Sequence, residues 1–264
     1  RKLYPSEFYE KFLKESIRPD GRDSFGTREV HISTGSISTA YGSSMVKLGN
    51  TAVVAGVQGE LAFEDLNLSS QLIINLEVGG ISGTNFTGKP SESTQALSSR
   101  LRSVVDQCNL VQNLEDLYVE DEDTKVLWYL IVDLYCLDHD GNLFDTCLIA
   151  LISALLNTRL PVGKIKNGRV IGTKERSIQL TISPEYPLSL SFSIFQEYVL
   201  ADPTNEEEQL SNTTLSIVAS VKGGNIWQIY KPGGFMIEDE KLRLCTQYAM
   251  EHIKKLSNII EQSQ

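Results

Sequence analysis

The stretch KVLWYLIVDLYCLDHDGNLFDTCLIALISALLNTRLP, residues 125–161, decides the fold of this chain. Its first part, residues 125–138, is apolar at both alternating positions, which predicts a strand that is buried on both faces and central in a sheet. A turn follows at 139–142. Residues 143–161 are rich in leucine and alanine, which favours a helix covered on more than one side, with Pro161 just past its end.

Asp145 is the polar exception near the start of this helix. An acid in a first turn can cap free N–H groups or interact favourably with the helix dipole. We therefore expect Asp145 to be a structural cap rather than a catalytic acid. On this interpretation, Asp145→Asn weakens folding by about 1 kcal/mol.

Shorter apolar runs on both sides of this stretch predict further strands. They lie before it at 28–38, 43–49, 51–61 and 69–78, and after it at 176–182, 188–195, 197–203, 213–220 and 225–231. Helical spacing is found at 4–16, 92–109 and 238–262, and the acidic run 115–123 predicts a solvated loop. This order predicts an α+β or α/β domain with mixed sheets and no dividing linker.

The composition limits the class of protein. The chain has 264 residues and a net charge of −10, which argues against a protein that coats duplex DNA, although a local basic path inside an assembly remains compatible. No run reaches the roughly 18 apolar residues of a membrane span, so we expect no membrane partner. Cys108, Cys136, Cys147 and Cys245 form no CxxC pair, which predicts buried thiols in a reduced intracellular protein rather than a zinc site.

Motifs for phosphate loops and hydrolases are absent or weak. Neither GxxxxGK[ST] nor GxGxxG occurs. The glycines at 79–80, 83 and 233–234 could place an anion at a helix start, but turn and cap roles are the favoured interpretation. A serine hydrolase lacks support because no GxSxG occurs and because His31 and His139 fall in strand and turn contexts.

Clustered carboxylates follow a proline turn near residue 205. The run Glu206-Glu207-Glu208 comes directly after Asp202-Pro203-Thr204. Such a cluster could hold Mg²⁺. Adjacent acids on a polar turn are more often a solvated loop, and this is the favoured interpretation here.

Two pairs of arginines could contact RNA phosphates. Arg100 and Arg102 lie on the helix predicted at 92–109, where their spacing places them on different faces. Arg18 and Arg22 flank Asp20, and they could instead pair with nearby acids or with a neighbouring subunit. RNA contact is therefore predicted first for Arg100 and Arg102.

Several motifs occur in a fixed order along nearly the whole chain. They are RPDGR (18–22), GSSMVKLGNT (42–51), the stretch LWYLIV…NTRLP (127–161), VLADPTNEEEQL (199–210) and KPGG (231–234). Together they resemble the RNase PH family, whose opening motif is matched by Arg18, Asp20, Gly21 and Arg22. Within that family, the DPTxEEE run and the LDHDGNLFD segment resemble ring subunits of the eukaryotic RNA exosome, in the lineage related to the larger, inactive archaeal ring subunit.

The resemblance implies an α+β, RNase PH-like fold in which two βαβ-type halves pack mixed sheets against helices. It implies a single domain over 1–264, with an N-terminal helix over 1–17, a first half over 18–161 and a second half over 162–264. It also implies a hetero-hexameric ring around an RNA channel, RNA-binding cap subunits on one face, and a separate hydrolytic exoribonuclease. Ribosomal RNA processing and messenger RNA decay in nucleus, nucleolus and cytoplasm are the implied setting.

A ring position requires a related partner on each side, and therefore exposed apolar surface or free sheet edges. We expect the strands near 213–231 and the N-terminal helix to provide these contacts. The long apolar helix at 143–157 is expected to be internal core.

The resemblance also predicts that this chain is inactive. Active members hold phosphate with a Gly-Thr-Arg turn after the central strand, whereas this chain has DGNLFD (140–145), in which Asp145 would repel phosphate. Active members also use an aspartate pair near a later strand, where Tyr186-Pro187 stands here and Glu185 is the only acid nearby. We expect no catalytic residue, no metal and no cofactor, and Asp145→Asn should leave nuclease rates of the assembly unchanged. An active phosphorolytic exoribonuclease and a stand-alone RNA-binding adaptor are the alternatives.

Overall fold

The computed structural model describes residues 5–63, 72–79, 91–113, 118–121, 124–166 and 169–264. Most of the glycine-rich loop at 79–91, the beginning of the predicted strand at 69–78 and part of the acidic run at 115–123 lie outside these ranges. The helices are α1 (Pro5–Lys14), α2 (Glu92–Cys108), α3 (Leu143–Leu156), α4 (Asn205–Leu210) and α5 (Asp239–Gln262). In the described part of the chain, none of them is long and apolar enough to span a membrane.

The strands follow the predicted order closely. They are β1 (Val30–Thr34), β2 (Gly42–Leu48), β3 (Thr51–Phe63), β4 (Leu72–Val78), β5 (Tyr118–Asp121), β6 (Thr124–Asp138), β7 (Arg159–Lys166), β8 (Arg169–Gln179), β9 (Pro187–Phe195), β10 (Tyr198–Ala201), β11 (Thr213–Ser220) and β12 (Ile226–Tyr230). Sequence analysis missed β7 and the first part of β8, which pair with each other as a separate sheet. The solvated loop predicted from the acidic run is also wrong where β5 forms. The backbone there pairs with β6, and this pairing outweighs the acidic composition.

The first sheet has the strand path β1-β2-β3-β6-β4, with β5 paired to β6. β6 pairs antiparallel with β3 and parallel with β4, so the predicted central strand is confirmed. Residues 126–130 are buried, but Tyr135 and Leu137 are 44% and 49% exposed. The end of β6 is therefore covered on one face only, by the core that α2 and α3 form.

α3 forms the centre of the molecule. Its residues from Phe144 to Leu155 are buried, and it packs against β2 and β3 on one side and β9 on the other. The predicted helix is confirmed, but it ends at Leu156 rather than near Pro161. Arg159 already begins β7, and its N–H donates to the carbonyl of Tyr41.

The second sheet has the antiparallel order β10-β9-β11-β12. α5 covers one face, where Cys245 and Ala249 pack against Phe192 and Ile217. The β10 edge is covered by the N-terminal segment, because the Ala201 N–H donates to the Ser24 carbonyl at 2.9 Å. The molecule is thus an α+β arrangement in which α3 separates two sheets.

All four cysteines are buried, as the sequence predicted. Burial raises the pKa of Cys108 to about 12 and that of Cys245 to about 11. These thiols are therefore apolar core groups at neutral pH.

Candidate functional site

The opening motif RPDGR ties the N-terminal segment to α4. Arg18 is fully buried, with 0% exposure. Its Nε donates to Glu207 Oε1 at 2.8 Å, its Nη2 donates to Glu207 Oε2, and its Nη1 donates to the Ala201 carbonyl at 2.7 Å. Sequence analysis did not pair Arg18 with Glu207, because 189 positions separate the two residues.

The remaining residues of the motif shape the turn that presents Arg18. Gly21 has a φ of +88°, a conformation that favours glycine, and its N–H donates to the Arg18 carbonyl. Arg22 Nε donates to Asp20 Oδ2 at 2.7 Å, so of the alternatives that the sequence left open this arginine pairs with a nearby acid. These two hydrogen bonds fix the turn that carries the Arg18 side chain into the interior.

The acidic run at 206–208 is a structural element rather than a solvated loop. Thr204 and Glu207 form a capping box at the start of α4, with the Thr204 N–H donating to Glu207 Oε2 at 2.9 Å. The same Glu207 carboxylate accepts from Arg18, and its residue is only 2% exposed. The favoured interpretation of the run as a solvated turn was therefore wrong for Glu207, because its carboxylate is the buried partner of a buried cation.

Asp202 connects three elements and lies at the end of β10. Its Oδ1 accepts from Arg28 Nη2 and from Asn142 Nδ2, both at 2.7 Å, and its Oδ2 accepts from Arg28 Nε at 2.9 Å. Burial would by itself raise the pKa of Asp202, but the hydrogen bonds and charge of Arg28, together with Asn142, bring that pKa below its ordinary value. The carboxylate is therefore ionised when the protein is folded.

Asp202→Asn should destabilise the protein in a pH-dependent manner. Because the pKa is lowered on folding, the charged carboxylate stabilises the fold above the unfolded-state pKa of about 3.9, and this contribution is lost as the pH falls further. We expect the variant to lose about 2 kcal/mol at pH 7 and the difference from wild type to shrink by pH 3. Urea unfolding at both pH values measures this difference in the free energy of unfolding. Asp106→Asn, at an exposed position, is the control. A difference that stays constant with pH would contradict the assignment.

The turn at the start of α3 is bound by the Glu208 carboxylate. Asn142 adopts a left-handed conformation with φ of 53°, and its backbone N–H donates to Glu208 Oε1 at 2.7 Å. Thr51 Oγ1 donates to the Gly141 carbonyl at 2.7 Å and fixes the turn that precedes the helix. Burial raises the pKa of Glu208, although the Asn142 N–H opposes this effect.

Asp145 does not cap α3, which corrects the sequence-based expectation. Its side chain points across to β9, where Oδ2 accepts from the Ser191 N–H at 2.7 Å and Oδ1 accepts from the Ser189 hydroxyl at 2.5 Å and the Ser191 hydroxyl at 2.9 Å. Asp145 is 2% exposed, and this burial raises its pKa. These hydrogen bonds join α3 to the second sheet.

Arg100 lies next to this cluster and is held by two aromatic rings. Its guanidinium carbon is 3.4 Å from the centre of the Phe144 ring and 4.1 Å from that of Tyr230. Its Nε donates to Gln228 Oε1 at 3.1 Å. Burial lowers the pKa of Arg100 to about 10, which the nearby Asp145 charge opposes, so the guanidinium is charged at neutral pH.

Arg102 occupies a different environment, as its spacing predicted. It is exposed, and its Nε and Nη2 both donate to the Ile74 carbonyl, at 3.0 and 2.7 Å. A groove beside it is lined by Asn75, Glu77 and Ser98. The structure thus separates the two arginines, with Arg100 facing β12 and Arg102 facing β4.

Family models and known relatives match this chain over most of its length. The model described as "3' exoribonuclease family, domain 1" matches residues 26–161, and the model for domain 2 of the same family matches residues 185–252. The chain belongs to the 3' exoribonuclease family. The fold is accordingly RNase PH-like, with α3 and β6 inside the first match and β9 to β12 inside the second.

Relatives of this chain include proteins named as exosome components. The chain is 34% identical to exosome complex component rrp43 of Schizosaccharomyces pombe, over 94% of this chain and 92% of that protein. It is 33% identical to exosome complex component Rrp42 of Methanothermobacter thermautotrophicus, over 95% and 92%. A solved structure of the Archaeoglobus fulgidus exosome with RNA bound to the active site is 28% identical, with a TM-score of 0.81 and 96% coverage of both chains.

Within this 3' exoribonuclease fold, the two segments that sequence analysis compared with active members lie side by side. The turn 140–145 places Phe144 over Arg100 and Asp145 against β9. In the segment 183–192, Tyr186 is buried, and burial raises its pKa to about 12. Asp145 of α3 lies between the two segments, and the Ser189 and Ser191 hydroxyls and the Ser191 N–H of β9 donate to it.

Sequence analysis missed most of the side chains that complete this site. They are Arg28, Phe144, Ser189, Ser191 and Tyr230. The serines had a usable signal, because SLSFS (189–193) alternates serine with apolar residues and so predicts a polar strand face. The aromatic contacts with Arg100 had none, since they join residues from three separate elements.

Proposed function

We propose that this chain is a non-catalytic ring subunit of an RNA exosome core. The proposal is supported by its similarity, over nearly the whole length, to proteins named as exosome components from a fungus and from archaea. Its fold also agrees with that of a chain of an archaeal exosome core, with a TM-score of 0.79 and 26% identity. In this role the subunit completes the ring and supports 3'-to-5' RNA degradation by an associated nuclease.

The observation that carries the inactivity is the acidic surroundings of Arg100. A phosphorolytic site needs donors that are free to hold an attacking phosphate. Here the guanidinium of Arg100 lies between Phe144 and Tyr230, although its buried Nη2 has no hydrogen-bond partner among the described residues. The Asn142 N–H at the start of α3 is bound by Glu208. The carboxylate of Asp145 faces the same place and would repel an anion.

The alternative is an active, phosphate-dependent 3'–5' exoribonuclease. We expect the purified chain, incubated with RNA and inorganic phosphate, to release no nucleoside diphosphates. An active archaeal exosome core provides the positive control under the same conditions. Phosphate-dependent release by this chain would overturn the proposed inactivity while leaving its family membership intact.

The partners follow from the same proposal. They are other RNase PH-like subunits in a hetero-hexameric ring, RNA-binding cap subunits, a hydrolytic exoribonuclease, and RNA in the channel. We further propose that the chain is the counterpart of animal exosome component eight, acting in the nucleus, nucleolus and cytoplasm in ribosomal RNA processing and messenger RNA decay. Rescue of animal cells depleted of component eight, compared with cells depleted of another ring subunit, tests this lineage.

Arg102 is the better of the two predicted RNA contacts. It is exposed, whereas the guanidinium of Arg100 is engaged by its aromatic neighbours and Gln228. We expect Arg102→Glu in the assembled ring to shorten the length of protected RNA and to lower the salt slope of binding by about 1. Arg243→Glu, an exposed charge reversal on α5, is the matched control. Equal protection and equal slopes for both variants would contradict this assignment.

A further inference from the structure

The β7–β8 hairpin concentrates positive charge in an otherwise acidic chain. Its segment, residues 159–179, contains six lysines and arginines and a single glutamate, although the whole chain has a net charge of −10. The potential at a surface depends on the charges nearby rather than on the whole-chain sum, so such a segment can bind a polyanion. We call β7 and β8 together the basic hairpin. Its cationic positions are Arg159, Lys164, Lys166, Arg169, Lys174 and Arg176.

The register of the basic hairpin gathers three cationic positions on one face. Lys166 pairs with Arg169 across the two strands, and Lys164 pairs with Ile171. Positions that lie directly opposite each other, or two apart on one strand, belong to the same face of a sheet. Like charges directly opposite each other destabilise a sheet, so the arrangement of Lys166 and Arg169 costs stability unless an anion offsets it.

The other face of the hairpin has no charged position over the same rungs. Ile165 pairs with Val170, and Gly163 pairs with Gly172. In the described part of the chain, β7 and β8 pair with each other and with no further strand. The basic hairpin is thus a separate two-stranded ribbon whose cations are segregated on one side.

β5 brings two acids close to the basic hairpin. It carries Glu120 and Asp121, and it lies next to β7. Together with Glu175 of β8, these acids leave an excess of three cations in the described part of the two elements. The excess equals the number of cationic positions on the charged face, so the acids of β5 do not remove the attraction for a polyanion.

Single-stranded RNA is the polyanion that this face fits best. Lys164 and Lys166 are two positions apart, which corresponds to about 7 Å along a strand. The phosphates of an extended single strand repeat at a comparable spacing, so consecutive phosphates can meet consecutive cations. Lysine and arginine are the side chains that neutralise nucleic-acid phosphates.

We propose that the basic hairpin binds the phosphate backbone of single-stranded RNA through Lys164, Lys166 and Arg169. The proposal rests on the proposed function, in which RNA passes through the assembly, and it adds a contact on an element separate from that of Arg102. Contacts to phosphate carry no sequence information. The basic hairpin therefore holds RNA of any sequence.

The test is a variant of the full chain that combines Lys164→Gln, Lys166→Gln and Arg169→Gln. Fluorescence anisotropy of a labelled oligouridylate measures binding between 50 and 200 mM salt. We expect the variant to bind at least tenfold more weakly at 50 mM salt. The magnitude of the slope of log K against log salt should fall by about 2, since three phosphate contacts are lost.

The matched control removes the same charge from α5. It combines Arg243→Gln, Lys254→Gln and Lys255→Gln, all at exposed positions. We expect this control to keep the salt slope of the wild-type chain. Equal affinities and equal slopes for the two triple variants would overturn the proposal, because a general charge effect would then explain the binding.

Arg169→Gln alone separates a binding role from a structural one. It removes the repulsion between the opposed positions 166 and 169, so the unfolding midpoint without RNA should rise by roughly 1–3 °C. A fall of the midpoint would show that Arg169 stabilises the hairpin through contacts within the chain. That result would overturn the proposal.

Photo-crosslinking of an oligouridylate that contains 4-thiouridine locates the contact. We expect crosslinked peptides from residues 159–179. Crosslinks only to other segments would overturn the assignment, as would displacement of no RNA and binding of polyglutamate alone, which would mark the hairpin as a surface for an acidic protein. These assays use the isolated chain, so their failure leaves the ring role standing, whereas recovery of the chain outside any exosome contradicts the proposed function itself.

Discussion

We expect Arg18→Ala to lower the free energy of unfolding by about 3–5 kcal/mol, since it leaves a buried carboxylate without its partner. Arg18 is fully buried, and its guanidinium binds the Glu207 carboxylate and the carbonyls of Ala201 and Asp202. Without it, the buried carboxylate that also caps α4 keeps only the Thr204 N–H and a longer contact of 3.9 Å with Arg22 Nη2. Urea denaturation followed by circular dichroism measures the loss.

The matched control for this ion pair is on the surface of α1. Lys14 Nζ lies 2.8 Å from Glu10 Oε1, but the Lys14 side chain is 62% exposed. Lys14→Ala should therefore leave the free energy of unfolding almost unchanged, because an exposed ion pair contributes little. If Arg18→Ala were as mild as this control, the buried pair would not be holding the N-terminal segment to the second sheet.

Asp145→Ala should lower the free energy of unfolding by about 3 kcal/mol, which is more than a helix cap contributes. The substitution leaves the Ser189 hydroxyl, the Ser191 hydroxyl and the Ser191 N–H without their common acceptor in the core. It also removes the negative charge that favours the charged form of Arg100. Thermal and urea unfolding of the isolated chain give the size of the effect.

The control for Asp145 is an acid in the first turn of another helix. Asp239 occupies the first turn of α5 and is exposed. Asp239→Ala should cost only the dipole contribution, about 0.5 kcal/mol. Nuclease rates of the assembly should be the same with both variants. A selective loss of nuclease rate with Asp145→Ala would show that Asp145 takes part in chemistry, contrary to our account.

Much of the fold was predictable because its signals are local. The apolar run of β6, the leucine- and alanine-rich α3 and the alternating strands of the second sheet each carry a clear periodicity. β5 and most of the β7–β8 hairpin were missed. Their segments are charged and short of apolar residues, and they form strands because neighbouring strands pair with them.

The candidate site was predictable only in part, because its contacts are long-range. The different faces of Arg100 and Arg102 followed from their spacing. The pairing of Arg18 and Arg22 with acids of this chain was only one of the alternatives that the sequence left open. The partner of Arg18 lies 189 positions away, and Asp145 binds serines more than 40 positions away. From the local sequence alone, an aspartate in a first turn is expected to cap its helix. The packing of α3 against β9 instead brings serine donors of β9 within reach of Asp145.

The mass of the native complex that co-purifies with this chain is the most direct test of the proposed ring role. We expect gentle purification from its own cells to yield one copy of this chain together with related ring subunits, RNA-binding cap subunits and a hydrolytic exoribonuclease. Native mass spectrometry of the intact particle gives this composition in one measurement. Recovery of the chain as a monomer, or as a ring made only of itself, would contradict the account.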